Sequence, residues 1–411
     1  MILNIVWLGF FFLAFLACLY QWLVNGDSAI FSRVLQESFT MSKTAFDISL
    51  GLTGVLTFWL GVLRVGEQAG AVAWLARLVN PLFCRLFPEV PAGHPAQGAM
   101  LLNIGANLLG LDNAATPMGL KAMRALQELN PDPDRASNAQ ILFLVLNASG
   151  LTLIPVSIMT YRAQLGAANP ADVFLPILLA TFFSTLAGLL AVAWMQKIRL
   201  HQPVVLAWLL GLCSAVGATL LYFARLTAEQ MAAQSAFVSG LVLFGVIVAF
   251  LALASWRRIS AFDAFIEGAR EGFNTAVMVI PYLVAILVGI AVFRASGAMD
   301  LLMSGLTALL GCFGVPADVG PALPTALMKP LSGSGARGMM IDAMKTYGAD
   351  SFAGRLACMF QGAADTTFYI VAVYFGAVGV RKTRYTVPCC LIADLVGVVA
   401  AIAIALLFFA P

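Results

Sequence analysis

The residue types best suited to chemistry in this chain crowd into one stretch, Asn103-Ile-Gly-Ala-Asn-Leu-Leu-Gly-Leu-Asp-Asn-Ala-Ala-Thr-Pro-Met-Gly119. Asn103, Asn107, Asp112, Asn113 and Thr116 offer amide, carboxylate and hydroxyl groups within a helix-breaking context. A second stretch of the same kind, Lys329-Pro-Leu-Ser-Gly-Ser-Gly-Ala-Arg-Gly338, brings Ser332 and Ser334 among glycines that let backbone approach a ligand closely. Two further clusters follow at matching places downstream. One holds Asn147, Ser149 and Thr152; the other holds Gln361, Asp365, Thr366 and Thr367. These groups suit hydrogen bonding to a polar solute, and Asp365 and Asp112 are the candidates for holding a coupling cation. The competing structural role is helix capping, for which Asp, Asn, Ser and Thr are equally suited. Lys329 and Arg337 flank the second stretch, either to attract an anionic group or to snorkel to the interface.

The elements that would carry these residues are membrane spans. The 411 residues are 61% hydrophobic and 10% charged, against roughly 25% charged in a soluble domain, so the chain is an integral membrane protein. A polar, Gly- and Pro-bearing segment cannot face lipid, because unpaired backbone groups in hydrocarbon cost several kcal/mol. It survives there only inside protein or along a wet cavity, as at solute sites in broken helices.

Other chemistries lack their residues. The net charge of +3 comes without a Lys/Arg cluster that would track nucleic acid. The seven cysteines include no CxxC pair, and His94 and His201 both neighbour Pro in expected loops, so no metal ligand set is read. No phosphate loop, GxSxG elbow or HExxH motif is present; catalytic residues are therefore read as none, and the chain as not an enzyme. No cofactor is expected beyond Na+ or H+ as a coupling ion.

Met1 to Val24 is a charge-free apolar run, expected as a retained first helix. Val173–Gln196, Pro203–Ala224, Met231–Trp256 and Gly272–Phe293 are charge-free and long enough to cross, and Thr386–Ala410 carries one acid, Asp394. Ile48–Leu63, Ala136–Tyr161 and Thr366–Val380 are expected as further spans. Residues 66–135 and 294–360 alternate short apolar pieces with Gly, Pro and charge, as half-helices or re-entrant hairpins do. Placing Lys197 with Arg199, Arg257 with Arg258, and Arg381 to Arg384 in the cytoplasm is self-consistent and puts Met1 there too.

With that orientation, the order of elements repeats with opposite direction: 48–63 runs inward and 272–293 outward, 173–196 inward and 386–410 outward. The expectation is an all-α polytopic bundle of two inverted-topology repeats, each with a broken or re-entrant polar segment. Its divisions are 1–44, a first helix and external loop; 45–200, the first repeat; 201–264, connecting helices; and 265–411, the second repeat.

The first half resembles the spore maturation protein A family through Gly110-Leu-Asp-Asn-Ala-Ala-Thr-Pro-Met-Gly-Leu-Lys-Ala-Met123. The second half resembles the spore maturation protein B family through Met328-Lys-Pro-Leu-Ser-Gly-Ser-Gly-Ala336, Tyr347-Gly-Ala-Asp-Ser351 and Gln361-Gly-Ala-Ala-Asp-Thr-Thr-Phe-Tyr-Ile370. Both belong to a wider nucleoside-recognition, or gate, group that is similar to concentrative nucleoside transporters. The resemblance implies a bacterial inner-membrane, gate-type transport fold, and the related carriers make a homo-oligomer a natural arrangement. The function expected is a cation-coupled secondary transporter of a small polar solute of nucleoside type. The alternative is a non-transporting membrane partner in cell-envelope, peptidoglycan or spore maturation. Partners are the solute and the lipid bilayer, with no nucleic acid.

Overall fold

The computed structural model describes residues 2–91, 93–109, 112–150, 152–311 and 316–409, apart from the side chains of residues 2, 3, 112–114, 228, 306, 307, 309 and 310. Every long apolar run forms a helix, the only structure that satisfies its own backbone in lipid. A first helix, α1 (Ile2–Asn25), precedes a series of seven: α2 (Ile30–Gln68), α3 (Ala71–Leu86), α4 (Pro95–Leu108), α5 (Asp112–Glu128), α6 (Asn138–Ser149), α7 (Val156–Gln164) and α8 (Phe174–Gln196). Two helices, α9 (Pro203–Phe223) and α10 (Ala228–Trp256), lead to a second series. That series is α11 (Ala261–Ala295), α12 (Ala298–Gly311), α13 (Leu323–Met328, entered through a 3-10 turn at Ala317–Ala322), α14 (Gly333–Tyr347), α15 (Phe352–Gly362), α16 (Thr367–Gly376) and α17 (Thr386–Phe409). The two series match element for element.

Corresponding helices pack antiparallel, which makes the repeats inverted. Along α2 and α11, Gly272 faces Leu56 and Thr57, Gly268 faces Leu60 and Arg64, and Gln68 Nε2 donates to Glu267 at 2.6 Å. The numbers rise on one helix as they fall on the other. The α8/α17 pair behaves alike, with Gly188 on Ala393 and Ser184 on Gly397. Gly268 and Gly272 form a small-xxx-small face that lets two backbones approach, the usual basis of helix association in membranes. A Cβ added at Gly268 would lie 2.4 Å from the Leu60 carbonyl oxygen, and one at Gly272 would lie 2.7 Å from Thr57 Cα.

Three expectations are corrected here. Residues 30–44 are not an external loop; they are the first turns of α2, whose 39 residues reach about 58 Å and overrun a hydrocarbon core of about 30 Å. Ala136–Tyr161 is not one span, because the chain breaks between α6 and α7. Gly150 at the break has φ 54°, and its Cβ position lies 3.2 Å from the Asp365 amide nitrogen, so both torsion and space call for glycine. Thr366–Val380 is likewise only the second half of a broken helix, since α16 ends at Gly376 and α15 ends at Gly362.

The loops at the two ends of the bundle also meet in matching pairs. At one end, the segment after α7 meets the segment after α14: fully buried Arg162 pairs with Asp172 at 2.7 Å and with Asp350 at 2.9 Å, and donates to the Ala349 carbonyl at 2.6 Å. Arg355 Nε binds Asp172 at 2.8 Å from the other side. At the opposite end, the segment before α6 meets the segment before α17, where Ala136 N donates to Lys382 O at 3.0 Å and Arg384 binds Asn138 Oδ1 at 3.0 Å.

Two predictions follow from this packing. Gly272→Leu forces backbone atoms apart and is expected to lower stability by about 1–3 kcal/mol or more, whereas Gly217→Ala on open α9 leaves the melting temperature unchanged or slightly raised. Fluorescence-monitored thermal unfolding in detergent checks the pair. The second concerns Asp172, whose carboxyl burial pushes above the usual range against the pull of Arg162 and Arg355. Arg162→Gln removes one counter-charge and is expected to cost about 3–5 kcal/mol, as breaking a buried pair does. A raised acid penalises the folded state once it ionises, so the variant should lose stability as pH rises from Asp172's ordinary value through its folded one. Adding Asp172→Asn should flatten that slope; equal slopes in wild type and Arg162→Gln would refute the assignment.

Candidate functional site

Three backbone hydrogen bonds assemble the site. Leu153 N, in the first break, donates to Leu108 O at the end of α4 at 2.8 Å; Phe368 N, just past the second break, donates to Pro330 O at the end of α13 at 3.0 Å. Each hairpin corner is thus tied to the break of its own repeat in the same way. The third bond joins the repeats, from Asp365 N to Ala148 O at 2.7 Å. Broken backbone at this depth leaves N–H and C=O groups that only protein can satisfy.

Against this junction lies a cavity of about 810 Å³. Both repeats line it: α2, the α4–α5 hairpin, α6 and α7 from one, and α11, the α13–α14 corner, α15 and α16 from the other. Of the residues singled out in the sequence, Asn107, Thr116, Asn147, Thr152, Gln361 and Asp365 line it together. Asn107 Nδ2 donates to Asn147 Oδ1 at 2.8 Å, and Asn147 Nδ2 to Phe143 O at 2.8 Å, so both amides are held in fixed orientation. Gln361 is buried, and its Oε1 has no hydrogen-bond partner. Asp365 Oδ1 accepts from Thr366 N at 2.7 Å, leaving the rest of its carboxylate toward the cavity.

The other candidates are placed behind the wall. Fully buried Asn103 donates to Ala115 O at 2.8 Å and holds the α4–α5 hairpin closed. Ser149 Oγ donates back to Leu146 O at 3.1 Å. Ser332 Oγ caps α14 by accepting from Gly335 N at 3.0 Å and lies 3.3 Å from Ser334 Oγ. Thr366 begins α16, with its hydroxyl against Gly333. For Ser149 and Ser332, the short polar side chain is spent on a local backbone group, the ordinary competition between capping and binding. The side chains of Asp112 and Asn113 lie outside the described residues. Asp342 is buried against Arg294 in an ion pair.

The charged part of the wall was half visible in the sequence: Lys329 and Arg337 carried two readings, while Arg64, Glu67 and Glu271 were missed. Lys329 does not snorkel: it is 8% exposed and lines the cavity, as does Arg337, whose guanidinium lies 5.8 Å from the centre of the Tyr161 ring. Arg64, Glu67 and Glu271 line it too, with Arg64 bound to Glu67 at 2.8 Å and also paired with Glu267. Their signal was the opposite charges on facing helices, visible only once α2 and α11 are paired. Tyr369 and Tyr374 complete the wall, Tyr374 stacking on Phe143 with ring centres 6.2 Å apart.

The arrangement can grip a polar molecule by oriented amides, hydroxyls and aromatic faces, with three basic and three acidic side chains among the described lining residues. No group of three or more His, Cys, Asp or Glu residues able to hold a metal occurs among the described residues.

Comparison with known proteins fits this construction from two alike halves. The chain is 44% identical over 172 residues to spore maturation protein B of Bacillus subtilis (strain 168), covering 42% of this chain and 90% of that protein. It is 40% identical over 157 residues to spore maturation protein A of the same organism, covering 38% of this chain and 80% of that protein. No solved structure matches. A family model described as nucleoside recognition, the gate family, matches residues 49–165 and 276–381, which together exceed half of the chain and contain both breaks and both hairpin corners. The chain therefore belongs to the gate family of nucleoside-recognition membrane proteins.

Proposed function

We propose that the protein is a secondary carrier that moves a small polar solute of nucleoside type across the membrane. One observation carries the reading: the breaks of two inverted repeats meet at one cavity whose wall includes a buried, unpartnered acceptor, Gln361 Oε1. A buried polar atom without a partner costs about 1–3 kcal/mol, a cost that a solute donor removes once the Gln361 side chain turns toward it. The cavity's 810 Å³ lies in the range of about 300–1,000 Å³ typical of small-molecule sites. The balanced charges of the wall favour a cargo with little net charge. The oriented amides of Asn107 and Asn147, with Gln361 beside them, suit the edge of a nucleobase, Tyr369 and Tyr374 suit its face, and the Asp365 carboxylate suits the hydroxyls of a sugar.

Alternating access follows from the inversion. Rocking one repeat against the other exchanges the roles of two ends that are built alike, while the junction stays at the centre. Movement against a gradient requires coupling to a cation. The second reading, a membrane partner in envelope or spore maturation, draws on the names of the relatives, but a scaffold needs no amide wall with an unsatisfied acceptor.

The test is binding by purified protein in nanodiscs, read by thermal shift and calorimetry, to nucleosides, amino acids and peptidoglycan precursors. A nucleoside is expected to stabilise the fold by mass action, and Gln361→Ala to weaken its binding about tenfold, the equivalent of about 1.4 kcal/mol. Binding of no nucleoside, or equal affinity in Gln361→Ala, would overturn the reading.

A further inference from the structure

A second polar site lies behind the cavity wall, and the role argued for it rests on the carrier reading. Asp394 sits within α17, 7% exposed, in a helix otherwise without charge. Its Oδ2 accepts a hydrogen bond of 2.7 Å from Thr367 Oγ1, and its Oδ1 has no partner. Thr367 is itself fully buried and is the first residue of α16, immediately after the break. The acid therefore grips the α16 half of the broken helix where it leaves the junction. One turn along the same face, Gly397 packs on Ser184, whose buried hydroxyl also lacks a partner, and on the Ala363 carbonyl at the end of α15.

A carboxylate with one oxygen unsatisfied inside a membrane span is costly, and such residues mark ion or proton pathways. Oδ1 can be satisfied by a neutral donor such as water, by a metal cation or by a proton. The surroundings favour the proton. The helices packed on α17 are α8, α15, α6, α16 and α10. Neither α8 nor α6 carries a titratable side chain. On α15, Arg355 stacks over Phe409 at the far end of α17, leaving Cys358; on α16 there are Tyr369 and Tyr374; on α10, Glu229 lies in the first turn. Cys389 and Cys390 share α17 itself. The charges that act on Asp394 are Lys329, buried at the α13–α14 corner, and Asp365, on the cavity side of Thr367. A fixed ammonium nearby opposes a second cation and is compatible with a group that alternates between anion and neutral acid.

We propose that Asp394 is the proton-coupling carboxyl of this carrier, and that its protonation state sets the position of the hairpin corner that carries Lys329. In the step, one O–H bond forms at Asp394 Oδ1, and one O–H bond of hydronium entering through the cavity past Asp365 breaks; no electrons move. As an anion, Asp394 draws the Lys329 ammonium toward α17. As a neutral acid it releases that pull, and the ammonium turns to the cavity wall. Because Phe368 N is bonded to Pro330 O, a shift of the corner moves with α16. Asp365 and Asp112 give up the coupling role under this assignment: Asp365 is cavity-facing and relays.

The experiment is infrared difference spectroscopy of the full chain in nanodiscs as pH is lowered, with protons as the only probe. A protonated-carboxyl band should grow in, vanish in Asp394→Asn and persist in Asp365→Asn. Thr367→Val removes the donor to the anion and should move the band's midpoint to higher pH, a readout that stands even if Asp394→Asn misfolds. In pyranine-loaded proteoliposomes, uridine entry should acidify the lumen with wild type and not with Asp394→Asn. A band insensitive to both Asp394→Asn and Thr367→Val, or one abolished by sodium at constant pH, would overturn the proposal. Should wild type carry no uridine while the band behaves as expected, the carrier reading fails and Asp394 stands as a proton site.

Discussion

A helix interrupted inside hydrocarbon leaves backbone donors and acceptors that water cannot reach, and the bond from Asp365 N to Ala148 O answers that constraint for both repeats together. Each broken helix would be untenable alone. Crossing them at their breaks satisfies backbone groups of both, and it requires a residue without a side chain at the point of closest approach, which is Gly150. The hairpin corners then supply the remaining partners through Leu108 O and Pro330 O. The cavity is a consequence: six half-elements converge on the junction, and side chains cannot fill the space between their ends.

The same constraint explains where polar side chains are used. Ser332 is consumed by capping α14 and Asn103 by tying α4 to α5, whereas Asn107, Asn147 and Gln361, in the last turns of α4, α6 and α15, are left for the cavity. Inversion brings the two sets to opposite walls. It also gives the molecule two similar ends with dissimilar seals, one built on fully buried Arg162 and its acids, the other on backbone pairing of 134–136 with 381–382. The first seal must desolvate a fully buried arginine to form; the second keeps the side chains of Arg381 and Lys382 exposed. The two ends therefore differ in the cost of opening, although their topology is equivalent.

Much of this was legible in the sequence. Composition alone required a membrane bundle, and basic residues at Lys197, Arg257 and Arg381 implied the inversion that the antiparallel packing of α2 on α11 displays. The polar stretches stood out because glycine, proline and amides are expensive in a span. What could not be read was where each helix breaks. Ala136–Tyr161 has the length and hydropathy of a continuous span, and its interruption depends on Asp365, more than two hundred residues away. The same holds for Lys329 and Arg337, which look like interface charges until the hairpin folds them inward. Arg162 and Asp350 find each other only through tertiary contact.

A carrier of this construction holds the junction of its two repeats against a water-filled cavity reached from one side of the membrane at a time. The direct measurement replaces the seven native cysteines, introduces single cysteines at Asn147 and Gln361, and labels sealed vesicles of each orientation with a membrane-impermeant maleimide. Both positions should label together from one face, neither should label from the other in the same state, and a bound nucleoside should protect both. Failure of either cysteine to react from either face would contradict it, since the two repeats would then meet in a dry core.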